Sequence, residues 1–445
     1  VETLSPQEAD ENYLKTYTFY EKCEFKPLIN LKPEGDLVDR PRLYAFHLGF
    51  AQTAVLGAFL AQDLILFVAF FDLMLVPIYF LSGGWGGADR IRATTKMVIY
   101  TLTGSLLMLA AAVATGVIAA PSSGITFVLS DLQANVLPIE SQRWIFVCFL
   151  LAFLVKMPAF PLHGWMPDAY KTMPVPVLAV FSAVLSKVAA YGLIKVALPL
   201  FPDAAAELQV LVLVIAVLSI LYGSAMAFTT DNVRLVLGYS SIAQLGFITL
   251  GIFSLDLDGG QGAVLQMVTH GLVVVPLVLI TAVLAARSDG SQSLRDMGGV
   301  AFRAPVLAVI FLIVALASLA MPITANFVGE FLVLLGTFQS YEAIAIIASL
   351  GVVLASVYML RFFIRSMHNR VGPNVKSREI TWREAVAIVP LVVLIVVLSL
   401  DPQIALRNSE QSVAAAISPA QQAKAGSPPP APKSAQASTS NEGKQ

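Results

Sequence analysis

Charged residues are scarce in this sequence. Only 13% of its 445 residues are Asp, Glu, Lys or Arg, whereas 57% are hydrophobic. A soluble domain typically carries about 25% charged residues, so the composition excludes an ordinary soluble globular protein and indicates that the bilayer is the solvent. The formal net charge of −1 offers no basic surface to a nucleic acid and none to a strongly acidic substrate.

Cysteine is nearly absent, and no cofactor motif takes its place. Cys23 and Cys148 lie far apart in the chain, which predicts neither a disulfide framework nor a zinc site. The glycine-rich stretch SGGWGG at residues 82–87 has no strand before it and no Lys-Ser or Lys-Thr pair after it. It is therefore predicted to be a turn rather than a phosphate-binding loop, and no bound cofactor or metal is expected.

Long apolar runs fill the chain from residue 43 to residue 400. A helix needs about 20 residues to cross the hydrocarbon core, and eleven runs approach or exceed that length. They lie near residues 43–61, 63–83, 96–120, 143–158, 175–199, 207–228, 233–254, 261–286, 304–338 (interrupted), 342–366 and 384–400. The pattern predicts an all-α polytopic membrane protein with about eleven transmembrane helices.

Two of these runs are interrupted by proline at corresponding places. KMP at residues 156–158 breaks the fourth run, and AMPITANFVGEF breaks the ninth at Met321 and Pro322. Matched breaks in two halves predict a transporter-like repeat with an ion site at the breaks. The predicted organisation is a polar segment of unclear origin (1–42), a first repeat (43–200), a second repeat (205–368), a basic loop (369–383), a last transmembrane helix (384–402) and a disordered Pro/Ala/Ser-rich tail (403–445).

Basic residues are concentrated in alternate loops. The densest set follows the tenth run, in RFFIRSMHNRVGPNVKSREITWR, whereas FPDAAAE, SLDLDGG and SYEA contain none. Under the positive-inside rule the basic loops lie in the cytoplasm, so the C-terminal tail is predicted to lie outside.

Five ionisable side chains fall inside the predicted spans: Asp72, Lys156, Lys187, His270 and Glu330. A charged group at mid-helix costs roughly 2.5 to 3.5 kcal/mol and persists where it pairs, is hydrated or has a function. Burial lowers the pKa of a lysine and raises that of a carboxylic acid, and a nearby opposite charge restores both. An Asp72–Lys156 pair would keep Lys156 protonated until separation let the proton leave, which predicts a proton relay.

Structural explanations compete with this relay. A lone intramembrane charge can form a salt bridge or extend to the interface, as Lys195 is predicted to do because it lies close to Pro202. His270 alone is more often a hydrogen-bonded packing residue, and His163 in PLHGW could simply cap exposed backbone. The recurrence of these groups in successive spans, two of them beside helix breaks, favours the relay.

Several motifs resemble one family. KMPAFPLHGWMPDAY and SAVLSKVAAYGL resemble the proton-translocating antiporter-like subunits of respiratory complex I and the related Mrp cation/proton antiporters. FFDLMLVPIYFL, VRLVLGYSSIAQLGF and ANFVGEFLVLLGTF narrow the resemblance to the NuoM-type subunits, which carry Glu in the second broken helix where related subunits usually have Lys. The resemblance covers residues 40 to about 402 and implies two inverted five-helix repeats.

The resemblance also implies residue roles. Asp72 matches the family glutamate that pairs with a lysine, and Lys156 matches that lysine. Lys187 matches the connecting lysine, His270 the following histidine, and Glu330 the terminal acid at the outlet.

The sequence departs from the family at several positions. Asp72 is one methylene shorter than the family acid, so its pair with Lys156 must be closer or water-bridged. Gln244 stands where many relatives have a relay histidine and can only orient water. Ile323 and Ala325 replace common glycines, which predicts a stiffer break. Residues 1–39 do not resemble the first three family helices, so a truncated or misassembled start is expected, whereas an authentic start would make this a shortened subunit.

The resemblance therefore implies a proton-translocating membrane-arm subunit of NADH:quinone oxidoreductase in a bacterial plasma (inner) membrane. Its partners would be NuoL-like and NuoN-like neighbours, lipid and protons, with no nucleic acid. It would hold no cofactor, because FMN, the iron–sulfur clusters and quinone belong to partner subunits. The alternatives are an Mrp-type antiporter subunit, a hydrogenase-linked membrane subunit and a non-conducting scaffold.

Overall fold

The computed structural model describes residues 40–120 and 124–426, and within these ranges the backbone forms helices and no strand. The predicted N-terminal segment lies outside the described residues up to residue 39, as does the end of the tail from residue 427. The helices are α1 Pro41–Leu60, α2 Leu64–Trp85, α3 Arg90–Ile118, α4 Leu129–Ala134, α5 Ile139–Lys156, α6 Met166–Thr172, α7 Val175–Leu200, α8 Pro202–Glu207, α9 Gln209–Thr229, α10 Val233–Phe253, α11 Leu257–Arg287, α12 Pro305–Ser318, α13 Ala325–Ser340, α14 Glu342–Met367, α15 Trp382–Leu400 and α16 Gln403–Lys424.

Nine of the described helices are long and apolar enough to cross a membrane: α1, α2, α3, α7, α9, α10, α11, α14 and α15. The other two predicted spans are the interrupted ones. The fourth corresponds to α5, which stops at Lys156, and the ninth is divided between α12 and α13. The predicted all-α polytopic architecture is confirmed.

Polar caps fix where several spans begin. Asp63 Oδ1 accepts from Leu66 N at 2.9 Å ahead of α2, and Asn232 Oδ1 accepts from Arg234 N at 3.0 Å ahead of α10. Such side chains satisfy backbone N–H groups that the first helical turn leaves without partners. The caps therefore set the register in which each helix presents its buried polar residues.

The two breaks differ in their local structure. After α5, the indole Nε1 of Trp165 donates to Val155 O at 3.0 Å and braces the unwound segment that contains Pro158. In the second break, Ile323 adopts φ 82°, a left-handed conformation that strains a β-branched side chain and would suit glycine.

The predicted disordered tail is wrong as far as Lys424, because residues Gln403–Lys424 form the helix α16. Its buried residues share one face: Leu406, Val413, Ala416, Ile417 and Ala420. Val413 and Ile417 pack at Gly260, at the start of α11. The mean composition of the tail is polar, but an amphipathic helix needs only a narrow apolar face, which the prediction overlooked.

Contacts join the two predicted repeats at both ends of the bundle. At one end, Arg234 Nη1 donates to Met173 O at 2.8 Å and to Lys171 O at 3.2 Å. At the other end, α16 packs against α8 and the last turn of α7, while Gln421 Nε2 donates to Leu255 O at 2.8 Å. Each end thus has a bridge between sequence-distant halves.

A charge network organises the end that carries the basic loops. The Asp231 carboxylate contacts Arg295 at 2.6 Å, Arg361 at 2.6 Å and Arg365 at 3.2 Å. Although burial alone would raise the pKa of Asp231, the hydrogen bonds and charges of Arg295 and Arg361 outweigh it and lower that pKa. Asp231 therefore stays charged and ties the α9–α10 turn to α14.

The end of α11 carries a buried ion pair. Arg287 Nη2 lies 3.0 Å from Glu384 Oε2, and the two side chains are only 7% and 10% exposed. Arg287 also donates to Arg378 O and Glu379 O, at 2.6 and 3.0 Å. These bonds fix the predicted basic loop against the start of α15, where Thr381 and Glu384 form a capping box.

We expect Arg287→Ala to destabilise the protein by about 3 to 5 kcal/mol, because it leaves the Glu384 carboxylate buried without its counter-charge. The thermal unfolding midpoint of the purified, detergent-solubilised protein measures this loss. The matched control is Arg143→Gln, since Arg143 pairs with Glu207 and Glu140 in solvent-exposed geometry. A similar drop in the thermal unfolding midpoint for both variants would contradict a special stabilising role of the buried Arg287–Glu384 ion pair.

Candidate functional site

Lys156 ends α5 at the first break, where it is only 7% exposed. Its Nζ donates to Phe71 O and lies 3.6 Å from the centroid of the Phe71 ring, an arrangement that favours a cation. Asp72, the next residue along α2, is half-buried, and its Oδ1 has no hydrogen-bond partner among the described residues. Asp72 and Lys156 are close enough to interact electrostatically, but the predicted ion pair is not formed, and Lys156 Nζ donates to the neighbouring Phe71 O instead.

A cavity of about 20 Å³ lies beside Lys156. That volume is large enough for one water molecule, which needs roughly 10 to 15 Å³, but almost the whole wall is apolar. Besides Lys156, its wall includes Thr101 on α3 and the side chains of Phe181 and Leu185 on α7. The cavity therefore extends from Lys156 toward the part of α7 that carries the next lysine.

Lys187 follows a π-helical turn, Phe181–Leu185, in the middle of α7. Such turns hold an extra residue and expose backbone carbonyls, and they are frequent at functional sites. Here Lys187 Nζ donates to Ser182 O at 2.5 Å, and the side chain is buried. The exposed carbonyl thereby gives a buried ammonium group a partner without a counter-ion.

His270 lies on α11, close enough to Lys187 for the two groups to interact electrostatically. The close approach has a steric basis, because a methyl group at Gly271 would lie only 3.0 Å from Ala183 O in the π-helical turn. His270 is buried, and its Nδ1 has no hydrogen-bond partner within the described part of the chain. The Nδ1 atom of His270 therefore has an unused hydrogen-bonding position.

Glu330 forms the centre of a buried amide cluster. Gln244 Nε2 on α10 donates to Glu330 Oε1 at 2.8 Å, and Gln266 Nε2 on α11 donates to the same oxygen at 3.3 Å. Gln266 Nε2 also donates to Gln244 Oε1 at 2.5 Å, and Thr269 donates to Gln266 Oε1 at 3.4 Å. Glu330 Oε2 has no partner in the described residues.

These contacts bring some predicted residues together and separate others. Lys187 and His270 are neighbours, and Gln244 contacts Glu330 directly. Asp72 and Lys156 lie side by side without an ion pair. The sequence reasoning missed Gln266, although Gln266 and His270 are spaced one helical turn apart in an apolar run, which is a readable signal.

The arrangement suits movement of protons between fixed groups. Lysine, histidine and carboxylic acid side chains can each gain or lose a proton, whereas the amides of Gln244 and Gln266 only donate and accept hydrogen bonds. Across the described residues, no cluster of three or more His, Cys, Asp or Glu side chains could hold a metal ion.

Comparison with known proteins identifies a family that matches most of the chain. Residues 61–355 match the family model described as NADH:quinone oxidoreductase/Mrp antiporter, TM. The chain is 38% identical over 368 residues to NADH-quinone oxidoreductase subunit M of Escherichia coli strain K12, covering 81% of this chain and 72% of that protein. A Pseudomonas aeruginosa subunit M is also 38% identical, over 384 residues covering 84% of this chain and 75% of its own.

Solved structures show the same fold. A chain of the respiratory complex I from Thermus thermophilus with bound NADH aligns with a TM-score of 0.79 and 32% identity, covering 85% of this chain and 81% of that one. A chain of the Mrp complex from a Dietzia species aligns with a TM-score of 0.74 at 21% identity, covering 85% and 79%. The second similarity concerns the fold alone.

Proposed function

The chain belongs to the NADH:quinone oxidoreductase/Mrp antiporter transmembrane family, and we propose that it is the M-type subunit of a proton-pumping NADH:quinone oxidoreductase. In this role it carries protons through the membrane arm, while electron transfer takes place in partner subunits. The relatives named NADH-quinone oxidoreductase subunit M support this assignment.

One observation supports the proposal most directly. Glu330 is a buried carboxyl group on the second broken helix, and two glutamine amides hold only one of its oxygens. A group held on one side and unpartnered on the other can take up and release a proton without unfolding its surroundings.

We propose that a neighbouring subunit starts each cycle electrostatically. A change of charge outside the chain alters the balance between Asp72 and Lys156, and Lys156 leaves Phe71 and passes its proton toward Lys187. His270 and bound water carry the proton on to Glu330, which releases it at the outer side. Separate side chains thus act in sequence without a bound cofactor.

The proposal extends to partners and orientation. NuoL-like and NuoN-like subunits are the expected neighbours, with the basic loops in the cytoplasm of a bacterium and α16 on the outer face of its plasma membrane. FMN, the iron–sulfur clusters and quinone are assigned to the partner subunits.

Affinity purification from native membranes tests this function. A tag on the chain is expected to retain NADH:quinone oxidoreductase activity, and vesicles containing the purified complex are expected to acidify when NADH and quinone are supplied. An Mrp-type role predicts the opposite pattern, in which a sodium gradient moves protons and NADH has no effect. Recovery of sodium-driven exchange without NADH oxidation would therefore overturn the assignment.

A further inference from the structure

Asn326 is a buried polar residue that the proton path described so far does not use. It lies in the first turn of α13, only 1% exposed, and neither its Oδ1 nor its Nδ2 has a hydrogen-bond partner among the described residues. Buried side-chain amides almost always have partners, because an unsatisfied one costs about 1 to 3 kcal/mol. The position of Asn326 therefore needs an explanation.

The packing of α13 against α11 locates the Asn326 side chain. These helices run antiparallel and approach through glycines: a methyl group at Gly329 would lie 2.6 Å from Gln266 Oε1, and one at Gly262 would lie 2.6 Å from Val333 N. Gly336 meets Gly259 in the same register one turn further on. Extending the same helix pairing by one turn toward the start of α13 places Asn326 level with Thr269 and His270.

Asn326 also shares a face with Glu330. The two residues are four positions apart on one helix, so their side chains are neighbours about 6 Å apart along the axis. Both are buried, and Glu330 Oε2 is unpartnered like the Asn326 amide. On the facing helix, His270 Nδ1 is unpartnered as well, within the same described region.

We propose that Asn326 is a positioning residue that holds water between the His270 imidazole and the Glu330 carboxyl group. The inference rests on the proposed proton-pumping function and adds a residue to it. An amide donates through Nδ2 and accepts through Oδ1, so it can orient a water molecule in either direction without holding the proton. The four unpartnered polar atoms between α11 and α13 are Asn326 Oδ1, Asn326 Nδ2, His270 Nδ1 and Glu330 Oε2. Water held by Asn326 thus links them in one continuous hydrogen-bonded route.

Variants of different size and polarity test the proposal in the assembled complex. Asn326→Leu fills the space with apolar atoms and is expected to lower NADH-driven proton pumping by about tenfold or more, as for a lost proton-transfer step. Asn326→Ala opens room for water and is expected to pump within about threefold of the unmodified protein. Asn326→Ser is expected to behave like Asn326→Ala.

A merely structural role for Asn326 predicts the reverse order of activity, with more proton pumping by Asn326→Leu than by Asn326→Ala. Leucine has the same number of heavy side-chain atoms as asparagine and removes the unsatisfied polar atoms, so a structural role predicts that it is tolerated, whereas alanine would leave a destabilising cavity. Normal pumping by Asn326→Leu, or by Asn326→Val where Asn326→Leu does not assemble, would overturn the proposal.

Two further variants separate this inference from the proposed function. Thr337→Val removes another buried polar group from α13, one that already bonds to Val333 O, and is expected to pump normally. Glu330→Gln is expected to block pumping. If Glu330→Gln pumps normally, the proposed function fails, whereas if it is blocked while Asn326→Leu pumps, only the role of Asn326 fails.

Discussion

Replacing Lys156 with arginine is expected to reduce proton pumping by roughly 100-fold or more while the complex remains assembled. Arginine keeps the positive charge and can still contact the carbonyl and ring of Phe71, so a purely structural cation would be replaced without loss. It does not release its proton at physiological pH, so a relay residue would be disabled. The measurement is proton uptake per NADH oxidised in vesicles containing the purified complex.

Lys195 provides the matched control for this experiment. It lies on the same helix as Lys187, but it is half-buried, and among the described residues its Nζ donates only to Gln62 Oε1, at 3.4 Å. Lys195→Arg is expected to leave the ratio of protons to NADH unchanged. Normal pumping by Lys156→Arg would show that Lys156 stabilises the first break and does not carry protons.

Replacing Glu330 with glutamine is expected to reduce proton pumping by a factor similar to that expected for Lys156→Arg, because it removes the last proton-binding group of the path. The substitution preserves shape, and the new amide oxygen can still accept from Gln244 and Gln266 as Glu330 Oε1 does. The fold and the amide cluster should therefore survive. Pumping in vesicles and the amount of assembled complex, measured on the same preparation, distinguish lost transfer from lost assembly.

Glu342 is the corresponding control carboxylate. It lies at the start of α14, is exposed, and belongs to no buried cluster. Glu342→Gln is expected to pump at the normal rate. Equal losses in Glu330→Gln and Glu342→Gln would indicate a general sensitivity to negative charge and would contradict an outlet role for Glu330.

The sequence predicted the spans well, because membrane-crossing helices leave a strong signal in local composition. The two breaks were predicted as well, since Pro158 and Pro322 remove backbone donors inside apolar runs. Each ionisable residue inside a span was also visible in the sequence, because it contrasts with its apolar neighbours. What local composition cannot give is the partner of each group across the bundle.

Three features show this limit. The contact of Lys156 with Phe71 rather than Asp72 depends on how α5 ends against α2, which no local pattern encodes. The link from Gln266 to Gln244 and Glu330 depends on the register of three helices. The helix α16 was missed because its few apolar residues become informative only once Gly260 and the start of α11 supply a surface for them.

The bridges between the two halves limit how the molecule can work. Arg234 holds the α6–α7 connection at one end of the bundle, and α16 spans the ends of α7, α8 and α11 at the other. A carrier that opens alternately to each side of the membrane must move one half of the molecule against the other. Such a movement would break the contacts of both Arg234 and α16 in every cycle. The two bridges therefore support a proton path in which side chains move within a fixed helix frame.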